Sequence, residues 1–520
     1  MSLRGFALAW LAVVALRLAG AVSIPLSGDE AYYWMWTHHL ALGYHDHPPM
    51  VAWIVALATA LCGEHTWAVR LPFVLMGAAM PWVVWRVALD VTGEMRAALW
   101  SGALMLATPL FTLAGLAVFP DCSLLLACAL FLWCGWRASH GHGSVWWLAA
   151  GVAAGVAALS KLTGLYLLPS FFVFLAVGVE RRWLRSWQPY AMIAAMVLVW
   201  SPFLYWNATH HWDSFAYQYG SRLGKSTGWR PALTLRYLLL SAVAVSPLLY
   251  ALLWWAWARV SVASSAGRSP AASFLLWMVL PMQGFFLLCS LRTNIGLHWT
   301  APALVAMSVA FGWWVGTPDP SQATRRVWAV VALVMAAGLS SLLFIAALSP
   351  ATLLLGVNAI VSNAHVAGIN KGEPLRSSEI AEILGYPPAA RHVHDVAVEM
   401  RAQGSQPFFI TTNYALSSAL AFYSGELDFH VIMGNRIGAE YDRWDDYPTM
   451  LGRDAIYVDT SEIPTRVDVR TVLHQAFDDV QLDPPFRTEA GGVGSRTYYI
   501  ARCHHFSHDI FTAMKTTQSR

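Results

Sequence analysis

Up to about residue 348 the chain is a succession of apolar blocks, each near the ~20 residues needed to cross the hydrocarbon core of a bilayer. They lie near 6–24, 68–89, 98–118, 122–137, 145–160, 163–179, 189–206, 237–258, 272–290, 297–315 and 327–348. In lipid each backbone N–H and C=O has to find its partner within the segment, so every block is predicted to be a helix. Composition agrees, because 57% of the 520 residues are hydrophobic and 12% are charged, against ~25% charged in soluble domains. With 33 basic and 30 acidic residues, the chain shows no basic footprint for nucleic acid. The first block follows a lone Arg4 with no convincing small-residue cleavage site, so it is read as a retained span.

Lys and Arg in short loops set the orientation. Arg86 with Arg96, Arg137, the run Glu180–Arg185, Arg259 with Arg268, and Arg325 with Arg326 share one set of alternating loops. The other set is 25–67, 119–121, the neighbourhood of 161, 207–235 and 291–296. Taking the first set as cytoplasmic puts the N-terminus inside and, after about eleven spans, the tail outside. Met50–Leu61 is apolar but short and follows Pro48-Pro49, so it is predicted to lie at the outer interface. Counted as a span, it would put Asp29 and Asp121 on opposite faces and move the Arg181–Arg185 cluster outside.

From about 351 to 520 charge becomes frequent and helical and extended patterns alternate. Pro407–Thr411, Ala455–Val458 and Arg496–Ala501 read as strands. Tyr414–Tyr423 reads as a helix ended by Ser424-Gly425. The expected division is therefore a membrane domain, 1–350, and a small α/β domain, 351–520. Cys503 is the lone cysteine of that tail, which excludes a disulfide within it. With His504, His505 and His508 it has a loose metal-ligand look, but no second ligand pair stands at structural-zinc spacing, and a solvated tail is the preferred reading.

Chemistry gathers in the loops assigned to the outer face. Asp29 and Glu30 follow the first span directly, and His45, Asp46 and His47 come soon after, with Tyr32, Tyr33 and Trp34 between. Adjacent carboxylates beside a membrane are costly unless solvated, paired or functional, and interleaved aromatics suit the lip of a pocket. Asp121, alone, reads as a helix cap, yet it shares its face with Asp29 and Glu30. Lys161 reads equally as a snorkelling residue or as a point charge for a phosphate. Arg222, Lys225 and Arg230, and separately Arg292, put positive charge outside, against the charge rule, and so suggest an anionic ligand.

Gly28-Asp29-Glu30-Ala31-Tyr32-Tyr33-Trp34, followed by Asp46-His47-Pro48-Pro49, resembles the first outer loop of family 39 glycosyltransferases, which include protein O-mannosyltransferases and lipid A aminoarabinose transferase. Arg70-Leu71-Pro72, Phe119-Pro120-Asp121 and Ser160-Lys161-Leu162-Thr163-Gly164 follow in the family's order, and the likeness covers roughly the first 300 residues. It implies a GT-C fold, a polyprenyl-phosphate-linked sugar donor and inverting transfer at the outer face. Asp29 matches the family's catalytic acid position and Glu30 its neighbour. Asp46 and His47 match the pair flanking the donor phosphate, and Asp121 the second outer carboxylate. His47 stands where aminoarabinose transferases carry Lys; being only partly charged at neutral pH, it suits a different donor.

The expectation is thus a polytopic α-helical protein of the bacterial inner membrane with a small periplasmic α/β domain. It would transfer a sugar to a hydroxyl of a lipid, glycan or protein, with Asp29, Glu30 and Asp121 as the catalytic set. Asp46, His47, Lys161, Arg222, Lys225 and Arg292 would hold substrate. No metal or other cofactor requirement is legible. A flippase for lipid-linked glycans would instead carry ionisable residues at mid-membrane and repeated halves, and a membrane-anchored binding protein would keep its function in the tail. Cysteine-accessibility labelling is expected to find positions 29, 121 and 225 on the same outer face as the tail; labelling of position 121 only from the cytoplasm would overturn this topology.

Overall fold

The computed structural model describes residues 2–223, 228–265, 269–318, 320–348, 379–432, 439–460, 467–490 and 493–511. It divides into two compact units, Met1–Ala21 with Leu40–Leu343, and Val22–His39 with Phe344–Arg520.

In the first unit every apolar block is helical. Among the described residues six helices are long and apolar enough to cross a membrane: Leu3–Ser23, Thr66–Thr92, Pro120–Ser139, Gln188–Thr209, Pro270–Ser290 and Gln322–Ile345. A seventh crossing is the pair Pro231–Val245 and Pro247–Val262, bent by 104°. The sequence reading made one continuous span of that block; Ser246 adopts φ 93° and Pro247 has no N–H to continue the ladder, so the helix breaks there. Met95–Ala107, Ser144–Ser160, Leu162–Val177 and Ala301–Gly316 are shorter apolar helices, as is Met50–Cys62. By length alone the crossings are therefore fewer than the eleven blocks. The protein is a multi-pass membrane protein.

Ala-rich Ser144–Ser160 packs between Pro120–Ser139 and Gln188–Thr209, small side chains allowing close helix approach. Arg17, in the first helix, is fully buried and donates from Nη2 to the Phe111 carbonyl at 3.1 Å. It satisfies backbone at the end of the short helix Pro109–Ala114, where the chain is irregular before Pro120. At one end of the bundle Arg86 reaches Asp90 at 2.8 Å, and Arg137 reaches the same carboxylate at 3.7 Å. Two loops assigned to one face by their charge thus meet.

The second unit contains a six-stranded sheet, with β1 Phe408–Thr411, β2 Phe429–Val431, β3 Ala455–Asp459, β4 Phe477–Leu482, β5 Phe486–Ala490 and β6 Val493–Phe506. The order is β2-β1-β3-β6-β4, with β5 on β6. β1 is parallel to β2 and β3, whereas β6 is antiparallel to β3, β4 and β5. Tyr414–Ser424 crosses from β1 to β2 and ends at Gly425 with φ 74°. β1, β3, part of β6 and this helix lie where the sequence predicted them, whereas β2, β4 and β5 were not predicted. Cys503 points into the sheet core, where burial raises its thiol pKa, and His505 pairs instead with Asp478. Among the described residues no group of three His, Cys, Asp or Glu stands together as a metal site.

The segment Val22–His39 belongs to this second unit, although the sequence reading assigned it to the membrane domain. The reason is aromatic packing. Tyr32 lies 4.5 Å from the Tyr414 ring and stacks over Tyr441 at 6.1 Å, while Trp34 meets Phe422 edge-on at 5.0 Å. His39 stacks on Trp444 at 4.2 Å. Such pairs are worth about 0.5–1.5 kcal/mol each beyond the area they bury.

Candidate active site

In the membrane unit the polar residues converge on one buried ion pair. Pro120–Ser139 begins at Phe119 in extended backbone, with Pro120 in its first turn where a missing N–H is harmless. Asp121 therefore sits at the helix entrance, but its side chain makes no cap. Ser144–Ser160 ends at Lys161, whose φ of −161° is extended, and a 3-10 turn Leu162–Tyr166 follows. Gly164 permits that turn to fold back on the helix, since a Cβ there would lie 2.5 Å from the Ala157 backbone. The break aims Lys161 inward. Its Nζ donates to both Asp121 oxygens, at 3.0 and 2.9 Å, and the two side chains are 8% and 12% exposed. Both bland readings from the sequence, a capping Asp and a snorkelling Lys, give way to this pair. His47 and His298 lie within electrostatic reach of the same carboxylate.

Lys161, of this pair, lines a half-open cavity. Its polar wall is Lys161, His47, Thr163, Gln218 and Tyr219, and its apolar wall is Tyr166, Phe285, Phe286 and Trp299. The Tyr166 ring lies 5.2 Å from Phe285, and Phe286 lies 5.8 Å from Trp299. Thr163 and Tyr166 also line a second, small cavity whose other walls include Cys128, Leu132, Met278 and Met282. A polar cationic chamber thus adjoins an apolar one.

Loop 40–49 is tied to this site from both sides. The Gln218 amide donates to the main-chain carbonyl of Asp46, and the His45 Nδ1–H donates to Asp213 Oδ2 at 2.6 Å. Trp53 Nε1 donates to the Ala41 carbonyl at 3.0 Å, anchoring the loop to Met50–Cys62. Asp46, His47, Asp121 and Lys161, far apart in sequence, are therefore held in one unit around one cavity or beside it. Arg292 is exposed and does not line the cavity; its guanidinium stands 5.6 Å from the Trp229 ring. Lys225 and the side chain of Arg222 lie outside the described residues. The sequence reading did not single out Gln218, Tyr166, Phe285, Phe286 or Trp299. An aromatic within an apolar run looks the same whether it faces lipid or a cavity.

Asp29 and Glu30 are set in the second unit. Ser27 caps the helix Gly28–Met35 in a reciprocal capping box: its hydroxyl accepts from Glu30 N–H, and Glu30 Oε2 accepts from Ser27 N–H at 2.9 Å. Glu30 is buried at 2% exposure and fixes the helix start, whereas Asp29, one residue earlier, is exposed. Asp29 Oδ1 accepts from the Tyr414 hydroxyl at 2.8 Å.

Residues 46–206 match the dolichyl-phosphate-mannose-protein mannosyltransferase family. The match begins at Asp46, so Asp29 and Glu30 lie before it. Lipid A galacturonosyltransferase RgtD of Rhizobium johnstonii is 27% identical over 292 residues, which cover 55% of this chain and 59% of that protein. The chain thus aligns with less than two thirds of the length of this relative. The structure superposes on ArnT from Cupriavidus metallidurans in the apo state with a TM-score of 0.62 and 16% identity, covering 96% of this chain and 98% of ArnT. ArnT bound to undecaprenyl phosphate gives the same TM-score at 17% identity. The chain has the GT-C fold, and the resemblance to membrane glycosyltransferases seen in its loop motifs holds.

Removing one partner of a buried pair strands the other charge, at a cost of about 3–5 kcal/mol. Lys161→Ala is therefore expected to lower the folded yield and detergent stability sharply. Lys161→Met combined with Asp121→Leu should recover most of both, measured by size-exclusion chromatography and thermal unfolding. A double variant as unstable as the single one would show that the cost does not come from the unpaired carboxylate.

Proposed function

We propose that the protein is an integral-membrane glycosyltransferase that moves a sugar from a polyprenyl-phosphate-linked donor to a hydroxyl of a lipid, glycan or protein. The reaction takes place at the periplasmic face of the bacterial inner membrane, with the N-terminus cytoplasmic and the tail periplasmic. The observation that carries this reading is Lys161, held by Asp121, in the wall of a cavity that joins cationic and hydroxyl donors to aromatic faces. Hydrogen-bond donors and a cation suit a phosphate, and aromatic faces suit a sugar ring. ArnT was solved with undecaprenyl phosphate bound, which supports a donor of that kind. The name of RgtD makes galacturonic acid and lipid A the first donor sugar and acceptor to try.

In the reaction, the acceptor oxygen bonds the anomeric carbon as its proton passes to a carboxylate. The bond from that carbon to the phosphate oxygen breaks, and the electron pair leaves on polyprenyl phosphate. Water then takes the proton from the carboxylate. Asp29 is the better candidate for this base: Asp121 has both oxygens engaged by Lys161, whereas Asp29 is exposed and Oδ2 has no hydrogen-bond partner among the described residues. Lys161 and His47 are proposed to hold the phosphate and stabilise it as it leaves, with Asp46 shaping their loop. Arg222, Lys225 and Arg292 remain candidates from their charge alone. Glu30, buried in its capping box, orients the helix that carries Asp29.

Mass spectrometry of lipids and glycans from a deletion strain and its parent is expected to reveal one missing sugar and its acceptor; an unchanged envelope would overturn the proposal. A positioned base typically contributes ~10²–10⁴-fold. Asp29→Asn should therefore reduce restoration of that sugar by about this factor with normal membrane insertion, and Glu30→Gln, which can still form a capping box, should reduce it less. Full restoration by Asp29→Asn, Glu30→Gln and Asp121→Asn alike would eliminate the mechanism.

A further inference from the structure

From the contacts within the second unit we infer that Tyr414 is a positioning residue for the reaction: its phenol holds one oxygen of Asp29 so that the other meets the acceptor hydroxyl. The inference rests on Asp29 being the base.

Asp29 sits in the first turn of an eight-residue helix, Gly28–Met35. The side chain is exposed, and a carboxylate in that position would sample several rotamers. Its partner Tyr414 opens the helix Tyr414–Ser424, whose start is fixed by Asn413 accepting from Ala415 N–H at 2.8 Å. The two helix starts are in van der Waals contact, since a Cβ on Gly28 would stand 2.5 Å from Ala415 Cβ. Only glycine allows that approach, and the approach brings the Tyr414 hydroxyl to 2.8 Å from Asp29 Oδ1. The Tyr414 ring cannot swing away easily, because the Tyr32 ring lies 4.5 Å from it and Tyr32 Oη accepts from Glu440 N–H at 2.7 Å. A separate bond, Leu26 N–H to Tyr423 Oη at 2.6 Å, anchors the same segment without touching Asp29.

The phenol therefore restrains a base whose usefulness depends on angle and distance. Removing the tail would not separate an enzyme from a binding protein, because the segment carrying Asp29 packs within the same unit as the tail.

Tyr414→Phe keeps the ring and removes only the hydroxyl, so it is the variant of choice. It is studied in the full chain with two readouts: binding of undecaprenyl phosphate, and the initial rate at which the sugar missing from the deletion strain reappears when each variant is expressed at equal level. The expected result is unchanged undecaprenyl phosphate binding and a rate about 10- to 100-fold lower, the scale of one hydrogen bond to a charged group. Added to Asp29→Asn, the substitution should cause no further loss, because the two residues act as one. Tyr423→Phe, which loosens the segment elsewhere, should stay within about twofold of wild type. The inference fails if Tyr414→Phe keeps full rate, if its loss multiplies with that of Asp29→Asn, or if Tyr423→Phe falls as far. Full rate in Asp29→Asn itself would sink the assignment of Asp29 as the base, whereas an inactive Asp29→Asn beside a fully active Tyr414→Phe would sink only the role of Tyr414.

Discussion

Two opposite charges, Asp121 and Lys161, held at 12% and 8% exposure at the ends of membrane helices, set the terms for the membrane unit. Taking either out of water alone costs several kcal/mol, and mutual attraction offsets this only with good geometry. The geometry is good because both carboxylate oxygens accept from one ammonium. It also demands that the chain between Ser144–Ser160 and the next apolar helix break at Lys161, which the extended backbone and the turn at Gly164 provide. Without that break Lys161 could not reach Asp121, and the cavity would lose one wall. A pair of this kind adds little to stability compared with an apolar filling of the same volume, and so its presence beside a cavity speaks for chemistry.

The second unit applies the same economy of contacts to an exposed carboxylate. The chain leaves its first membrane helix, contributes Val22–His39 to the second unit and then returns to the first. Within the second unit, Tyr32, Trp34 and His39 lock the segment through ring contacts. The edge of its sheet is fixed by His430, clamped between Asp428 and Asp445 at 2.9 and 2.8 Å. Burial alone would lower the His430 pKa, but hydrogen bonds and charge from the two carboxylates outweigh it and raise the pKa above the ordinary histidine value. The side chain stands on β2, the strand that pairs with β1, whose end lies shortly before Tyr414. Order around Asp29 therefore derives from residues some four hundred positions away in sequence.

Much of the architecture was legible because lipid leaves a helix no alternative, and so hydropathy marked every block. The bend at Ser246-Pro247 was not, since a hydropathy window reads an apolar helix pair and an apolar span alike. Asp29, His47, Asp121 and Lys161 stood out as charges in apolar surroundings, the costliest feature a membrane chain can carry. Their partners did not. The Lys161–Asp121 bond joins positions 40 apart, and the Tyr414–Asp29 bond joins positions 385 apart, with nothing local to announce either. Glu30 was legible as a charge beside Asp29, and its capping box with Ser27 was not singled out.

The central claim is that the cavity beside Lys161 receives the phosphate end of a polyprenyl carrier. Photocrosslinking tests it directly, using undecaprenyl phosphate with a photoreactive group in its first isoprene unit and peptide mapping of the adducts. The account expects adducts in Lys161–Tyr166 and at Phe285, Phe286 or Trp299, removed by excess undecaprenyl phosphate. Adducts confined to lipid-facing helices such as Leu3–Ser23, or insensitive to that competition, would contradict it.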